Sequence, residues 1–150
     1  MTGKHTIIVQ TKRIKFELTV ERNITILRGD SATGKTTLVD LIEEYCRDDD
    51  QSSGVRLSCD KNCEVLGGNK WKEMLRLIND SIVFIDEQNK FLVTQEFAKA
   101  IQKTDNYYVI VSREKLPMLP YSINEIYGLR VSERSTAKQV CNEAFHLYQS

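Results

Sequence analysis

The chain has 150 residues, of which 41% are hydrophobic, and its 21 basic residues are balanced by 21 acidic ones. This length and composition predict one compact domain with a core of its own, and they exclude a disordered or collagen-like chain. The zero net charge also removes the simplest electrostatic case for non-specific binding to DNA or to an anionic membrane.

The apolar runs of the chain predict neither a signal peptide nor a membrane span. Ile7 to Val9 is too short for a signal-peptide core, and Tyr107 to Val111 is far below the ~20 residues that cross a bilayer. The cysteines lack the spacing of a disulfide framework or a zinc finger, so we interpret them as reduced thiols. They are Cys46, Cys59, Cys63 and Cys141. We therefore expect a cytoplasmic protein.

The first half of the chain predicts a hairpin, a third strand and a helix. Ile14 to Val20 alternates apolar and polar residues, which is typical of a half-buried strand, and the polar residues 10–13 suit a turn after the segment Thr6 to Gln10. The apolar run Ile24 to Leu27 leads into a glycine-containing loop. Apolar residues at helical spacing then predict an amphipathic helix from about Lys35 to Cys46.

The second half predicts a parallel strand–helix–strand unit. Residues 82–85 and 107–111 are continuous apolar runs typical of buried strands, and helically spaced apolar residues from Thr94 to Ile101 lie between them. The other predicted elements are a strand at 55–58, a helix at 71–78, a strand at 126–131 and a closing helix at 137–148. Together they indicate an α/β fold of three layers, with a mainly parallel sheet and a small N-terminal antiparallel hairpin.

Residues 29–36 read GDSATGKT and match the phosphate-binding pattern G-x-x-x-x-G-K-[ST] at every fixed position. Gly29 and Gly34 permit a backbone path whose N–H groups turn inward around a phosphate. Lys35 brings a positive charge to the β- and γ-phosphates, and Thr36 offers a hydroxyl to Mg²⁺. A chance match is the alternative, but the required strand precedes the motif and the required helix follows it. The predicted nucleotide-binding residues are Gly29, Asp30, Ser31, Ala32, Thr33, Gly34, Lys35, Thr36 and Thr37.

Two carboxylates, Asp86 and Glu87, follow the apolar run 82–85. The carboxyl end of a buried parallel strand faces the crevice where ligands bind in open α/β sheets. We expect Asp86 to hold Mg²⁺, mostly through the water ligands of the metal, and Glu87 to orient or deprotonate an attacking water. Buried strands also often end in acidic residues without such a role, so this interpretation depends on the upstream GDSATGKT motif.

Two polar residues, Ser112 and Arg113, follow the strand predicted at Tyr107 to Val111. Ser112 can reach the γ-phosphate or the lytic water if its strand lies beside the strand that leads to the phosphate-binding loop. Arg113 has three interpretations: a phosphate contact, a role at a neighbouring subunit's site, or a solvated side chain. For Arg28, an exposed position at the edge of the site is preferred to a phosphate contact. The predicted catalytic residues are Lys35, Glu87 and Ser112.

These motifs resemble those of P-loop NTPases, more closely the branch with an added strand and a catalytic glutamate, such as ABC-type, SMC/RecF-type or AAA-type ATPases. Residues 16–42 resemble the opening of such domains, IVFIDE (82–87) resembles a Walker B motif with its glutamate, and YYVIVSRE (107–114) resembles a strand ending in a switch residue. The resemblance implies a single P-loop nucleotide-binding domain over residues 1–150, with ATP as nucleotide and Mg²⁺ as cofactor. The string LGGNK (66–70) lacks the serine and glutamine of an LSGGQ signature.

Three functions are compatible with these motifs. The first is a small Mg²⁺-dependent ATPase, a hydrolase that acts with a protein partner or by self-association, because the nucleotide core uses most of the chain. The second is a small-molecule, nucleoside-like kinase, since IDEQNKF (85–91) resembles a stretch of thymidine kinases and Arg130 with Arg134 can serve as a phosphate lid. The third is a non-hydrolysing nucleotide-dependent regulator.

Two further features bear on these alternatives. In glutamate-type ATPases, the strand that corresponds to Tyr107 to Val111 lies between the strand before the phosphate-binding loop and the strand before the acidic pair. The kinase-type order differs. The position of this strand therefore distinguishes the first function from the second. Nucleic acid is a weaker candidate partner. The basic cluster of Lys12, Arg13 and Lys15 favours it, but a solvated turn explains the same residues.

Overall fold

The computed structural model describes residues 3–28, 35–47 and 53–148, with the backbone alone at 35 and 36. Nine strands and three α-helices form in these residues. The strands are β1 (His5–Gln10), β2 (Ile14–Val20), β3 (Ile24–Leu27), β4 (Arg56–Ser58), β5 (Asn62–Val65), β6 (Ser81–Ile85), β7 (Tyr107–Val111), β8 (Ile126–Val131) and β9 (Val140–His146). The helices are α1 (Lys35–Arg47), α2 (Trp71–Leu75) and α3 (Gln95–Gln102), with short 3₁₀ turns at Lys90–Val93 and Ile123–Glu125.

All nine strands belong to one mixed sheet, in the order β4-β1-β2-β9-β8-β3-β7-β6-β5. The five strands from β8 to β5 run parallel to one another. Pairing is antiparallel between β1 and β2, between β1 and β4, and between β8 and β9, whereas β2 and β9 are parallel. The sheet therefore combines a parallel part with a largely antiparallel part.

The strands β6 and β7 are buried on both faces because every residue in them is apolar apart from Ser81 and the two tyrosines. Phe84 and Val109 join one core cluster, in which α1 packs through Leu38 and Ile42. Val83, Ile85, Tyr108 and Ile110 join a second cluster with side chains of α2 and α3. The centre of the sheet is thus covered on each side.

The two outermost strands, β4 and β5, are consecutive in the chain and separated only by residues 59–61. The sheet curls so that its two ends come together, and α1 contacts β1 and β4 at one end and β5 at the other. The ring of His5 in β1 meets that of Tyr107 in β7 edge-on, with the centroids 4.9 Å apart. The helix α1 therefore lies inside the curl.

The expected three-layer P-loop core, with its mainly parallel sheet and small N-terminal hairpin, is wrong for this chain. One curled, mixed sheet carries most of the described secondary structure, and the described helices are few, with 13, 5 and 8 residues. The hairpin β1–β2 is part of the main sheet, because β9 pairs with β2 on one side and with β8 on the other. Strand β9 occupies residues 140–146, where a closing helix was expected. Pairing on both sides outweighs the helical spacing there.

Several predicted elements are confirmed. The hairpin β1–β2 forms, with the N–H of Thr11 donating to the carbonyl of Ile14 across its turn (2.8 Å). The parallel unit β6–α3–β7 is present, and α1 begins at Lys35 as the apolar spacing predicts. The helix expected at 71–78 ends at Leu75, and the short strand β5 was not predicted. No helix in the described part of the chain is long and apolar enough to cross a bilayer.

Candidate functional site

Three parallel strands, β3, β7 and β6, end at one edge of the sheet within one residue of each other. Leu27 of β3 pairs with Val111 of β7, and Ile85 of β6 pairs with Ile110 of β7. The next residues along these strands are Arg28, Ser112 and Asp86. The structure thus brings the predicted residues of all three strand ends to the same edge, with β7 in the middle.

Asp86 is almost fully buried, with 9% of its surface exposed. Its Oδ1 accepts a hydrogen bond from the backbone N–H of Glu87 (2.8 Å). Its carbonyl accepts from the backbone N–H of Asn89 (3.3 Å) and from Asn89 Nδ2 (3.0 Å), which closes a turn over residues 86–89. A buried carboxylate held in this way at a strand end can bind a cation or a metal-bound water.

Glu87 lies beyond Asp86 and is partly accessible to solvent. Its Oε1 is 3.8 Å from Arg113 Nε, and the exposed fractions of the two side chains are 33% and 54%. Glu87, Ser112 and Arg113 line a cleft of about 600 Å³ between the turn after β6 and the segment after β7. This cleft is large enough for a small polar ligand.

Ser112 is buried, and its hydroxyl is engaged with the chain that follows it. Oγ donates to the carbonyl of Glu114 (2.9 Å) and accepts from the N–H of the same residue (3.1 Å). The backbone N–H of Ser112 donates to the carbonyl of Leu27 (3.1 Å), which fixes the end of β7 beside that of β3. In this state Ser112 shapes the loop after β7.

Arg28 is half-buried rather than exposed. Its backbone N–H donates to the carbonyl of Tyr127 (2.8 Å), and its Nη2 donates to the carbonyl of Glu114 (3.4 Å). Its Nε is buried and has no hydrogen-bond partner among the described residues. Within the part of the chain that the structure describes, the guanidinium therefore keeps one unused donor at this edge of the sheet.

The remaining predicted site residues lie outside this cluster or outside the described residues. Gly29, Asp30, Ser31, Ala32, Thr33 and Gly34, and the side chains of Lys35 and Thr36, are not among the described parts of the chain. Thr37 is exposed in the first turn of α1. Arg130 pairs with Glu143 (3.2 Å) and Arg134 with Glu17 (3.8 Å), so the structure does not bring these two arginines to Glu87.

A metal cluster of protein side chains is not present in the described residues: no group of three or more His, Cys, Asp and Glu side chains is arranged to hold an ion. Mg²⁺ needs no such cluster, because it usually keeps several waters and takes one or two carboxylates plus phosphate oxygens. Asp86 is compatible with that mode of binding.

Asn89 is a site residue that the sequence reasoning missed. Besides its bonds to Asp86, its Oδ1 accepts from the backbone N–H of Gly68 (3.1 Å). A Cβ at Gly67 would lie 3.1 Å from Asn89 Oδ1, so a larger side chain there would press on this contact. Gly68 has a φ of 87°, which favours glycine. The pair of glycines in LGGNK was a usable signal for a close backbone approach.

No protein-family model, curated protein or solved structure matches the chain. Functional inference therefore depends on the residues of the site themselves.

Proposed function

We propose that the protein binds ATP with Mg²⁺ and hydrolyses it, as a small ATPase module that acts with a partner. One observation carries the proposal: β7 lies between β3, which precedes GDSATGKT, and β6, which ends in Asp86 and Glu87. This is the strand order expected for glutamate-type ATPases, and it favours hydrolysis over the kinase alternative.

The spacing of these strand ends supports the same proposal. Neighbouring strands lie about 4.8 Å apart, so β3 and β6 are separated by about 10 Å at the edge of the sheet. Because β7 fills the interval between them, a terminal phosphate and a hydrated Mg²⁺ would lie beyond the end of β7, between the residues that follow β3 and β6. The metal, when bound, neutralises charge on the phosphate oxygens.

Each residue has one role in this proposal. Residues Gly29 to Thr37 would surround the phosphates, with Lys35 supplying positive charge to the β- and γ-phosphates and Thr36 a hydroxyl to the metal. Asp86 would hold a metal-bound water, and Glu87 would orient the attacking water and take its proton. Ser112, at the end of the strand between them, would contact the terminal phosphate in place of its bonds to Glu114.

Arg28 adds support for an anion at this edge. Its Nε is buried without a described partner, and an unpaired buried donor of a charged group is costly. A phosphate oxygen near the start of GDSATGKT satisfies that donor. The partner in the proposal is a protein or a second copy of the chain.

A thermal-shift experiment with Mg²⁺ and nucleoside triphosphates tests binding. At about 100 times its Kd, a ligand that binds only the folded state adds roughly 2.7 kcal/mol of stability. For a domain of this size the melting temperature then rises by ~5 to 11 °C. Lys35→Ala should lose the shift, and Lys12→Ala, in the exposed β1–β2 turn, should keep it. No shift with any nucleoside triphosphate contradicts the proposal.

Product analysis then separates the alternatives. Release of inorganic phosphate without an added acceptor is the expected result. Formation of ADP that requires a hydroxyl-bearing acceptor, without free phosphate, supports the kinase. A thermal shift without any turnover supports the regulator.

A further inference from the structure

Three of the four cysteines meet where the two ends of the curled sheet join. Cys59 immediately follows β4, Cys63 is the second residue of β5, and Cys46 lies near the C-terminal end of α1. All three line one cleft of about 510 Å³. Cys59 is half-buried and Cys63 is buried, and all three thiols are free. The fold therefore brings together thiols from α1, from the residue after β4 and from β5.

The contacts distinguish Cys59 and Cys63 from Cys46. The thiols of Cys59 and Cys63 interact with each other, and this interaction is the largest influence on the pKa of both groups. Cys63 Sγ also donates a long hydrogen bond to the carbonyl of Lys61 (3.8 Å), and Cys59 Sγ donates one to Asp60 Oδ1 (3.8 Å). The thiol of Cys46 instead donates to the backbone carbonyl of Cys63 (3.2 Å). Cys46 therefore binds the backbone of Cys63, whereas Cys59 interacts with the thiol of Cys63.

The same contacts divide the roles of the three thiols. The hydrogen bond from Cys63 lowers the pKa of Cys59 to about 7, although burial and the Asp60 carboxylate oppose it. That bond raises the pKa of Cys63, as does burial. Burial, with the charges of Glu64 and Glu43, raises the pKa of Cys46 to about 11. Because the thiolate is the nucleophile, Cys59 is the reactive sulfur near neutral pH.

We propose that Cys59 and Cys63 form a redox-active dithiol that exchanges with low-molecular-weight disulfides of the glutathione type. The Cys59 thiolate attacks one sulfur of the small disulfide, breaks its S–S bond and releases one small thiolate. Cys63 then attacks the Cys59 sulfur of the mixed disulfide, and its proton passes to the released thiolate. The second small thiolate leaves. Two protein thiols are oxidised to one disulfide, and one small disulfide is reduced to two thiols.

Cys63 is suited to the second step because its surroundings change after the first. The negative charge of Cys59, which holds the proton on Cys63, disappears when Cys59 enters the mixed disulfide. Loss of that charge lowers the pKa of Cys63 and frees its sulfur for attack. Only three residues separate Cys59 from Cys63 in the chain, which keeps the two thiols within reach of each other.

A peptide map of the whole protein tests the proposal without any variant. The folded protein is equilibrated in buffers of reduced and oxidised glutathione, quenched with an alkylating agent and digested with trypsin without reduction. Trypsin places the four cysteines on four different peptides, which are 36–47, 57–61, 62–70 and 139–150. Mass spectrometry therefore distinguishes every pairing. We expect a link between peptides 57–61 and 62–70 that increases with the share of oxidised glutathione.

Variants assign the steps. Cys63→Ser should stop at the mixed disulfide and keep one glutathionyl group on Cys59. Cys46→Ser should form the 59–63 link as the unaltered chain does. The proposal is overturned if no link forms in the folded protein, if the link forms only in denaturant, or if peptide 36–47 is the main partner of either cysteine.

Discussion

Arg113 Nε lies 3.8 Å from Glu87 Oε1, so an ion pair connects the ends of β7 and β6. Both side chains remain partly exposed, and such pairs contribute about 0 to 1 kcal/mol. The pair is therefore weak enough for Glu87 to exchange its partner for water when a ligand enters the cleft. The ion pair with Arg113 therefore orients the Glu87 side chain but does not hold it in a fixed position.

Glu87→Gln should keep nucleotide binding and lose hydrolysis. The amide retains the size of the side chain but accepts no proton from water, and general-base catalysis contributes about 10²- to 10⁴-fold to rate. Phosphate release measures the loss, and the thermal shift with ATP and Mg²⁺ reports the retained binding. Glu96→Gln is the matched control, because that carboxylate pairs with Lys72 on α2. Equal turnover in the two variants would remove Glu87 from its proposed role.

Asn89→Ala should lower both stability and turnover. Its side chain makes two hydrogen bonds, to the carbonyl of Asp86 and from the N–H of Gly68. At about 0.5 to 1.5 kcal/mol for each bond, the free energy of unfolding should fall by roughly 1 to 3 kcal/mol. Urea denaturation measures this, with the exposed neighbour Asn69 changed to Ala as the control. A loss no larger than that of Asn69→Ala would show that the bonds to Asn89 do not hold the turn.

Sequence patterns predicted the elements whose burial follows from local residues. The runs at β6 and β7 are almost entirely apolar, so the sequence predicted that both strands are buried on both faces. Because these runs also mark where the strands end, the sequence predicted the positions of Asp86 and Ser112 at the strand ends. The contact between Asn89 and Gly68 was not readable, because it depends on a packing of two loops 21 residues apart.

Strand β9 shows why the fold class could not be predicted. Ala137, Val140, Cys141, Ala144 and Tyr148 have helical spacing. Yet Glu143 pairs with Arg130 of β8 and with Glu17 of β2, the latter far away in sequence. Such distant pairings are set by the assembled sheet and leave no local pattern, so tertiary context overrides the spacing.

The pairing of β8 with β9 can be tested at Gly128. This residue lies opposite Phe145, and a Cβ at Gly128 would stand 3.0 Å from the aromatic ring. Gly128→Ala should destabilise the fold by about 1 kcal/mol, because the ring must shift to make room. In a Phe145→Leu background the same change should cost less. A double-mutant cycle by urea denaturation measures the difference, and strictly additive effects would contradict the contact.

The reactivity of Cys59 should follow pH with a midpoint near 7. The thiolate alone is alkylated by iodoacetamide, and the hydrogen bond from Cys63 lowers the pKa of Cys59 from 9.0 to about 7. Rates measured on peptide 57–61 should therefore approach a plateau above pH 8. The charged groups nearby are Asp60, which opposes the shift, and Lys61, paired with Asp80.

Cys63→Ala supplies the comparison for that titration. It removes the donor, so the midpoint of Cys59 should rise toward the ordinary thiol value. An unchanged midpoint would mean that another group lowers the pKa of Cys59.

The short connection between β4 and β5 limits the shape of the whole sheet. Laid flat, nine strands have eight spacings of about 4.8 Å, which would separate β4 from β5 by about 38 Å. The chain from Ser58 to Asn62 can span at most roughly 14 Å. Covalent connectivity thus forbids a flat sheet, even without hydrogen bonds between its two ends. The helix α1 therefore lies in the concave face of the sheet, and the short connection between β4 and β5 limits the width of that face.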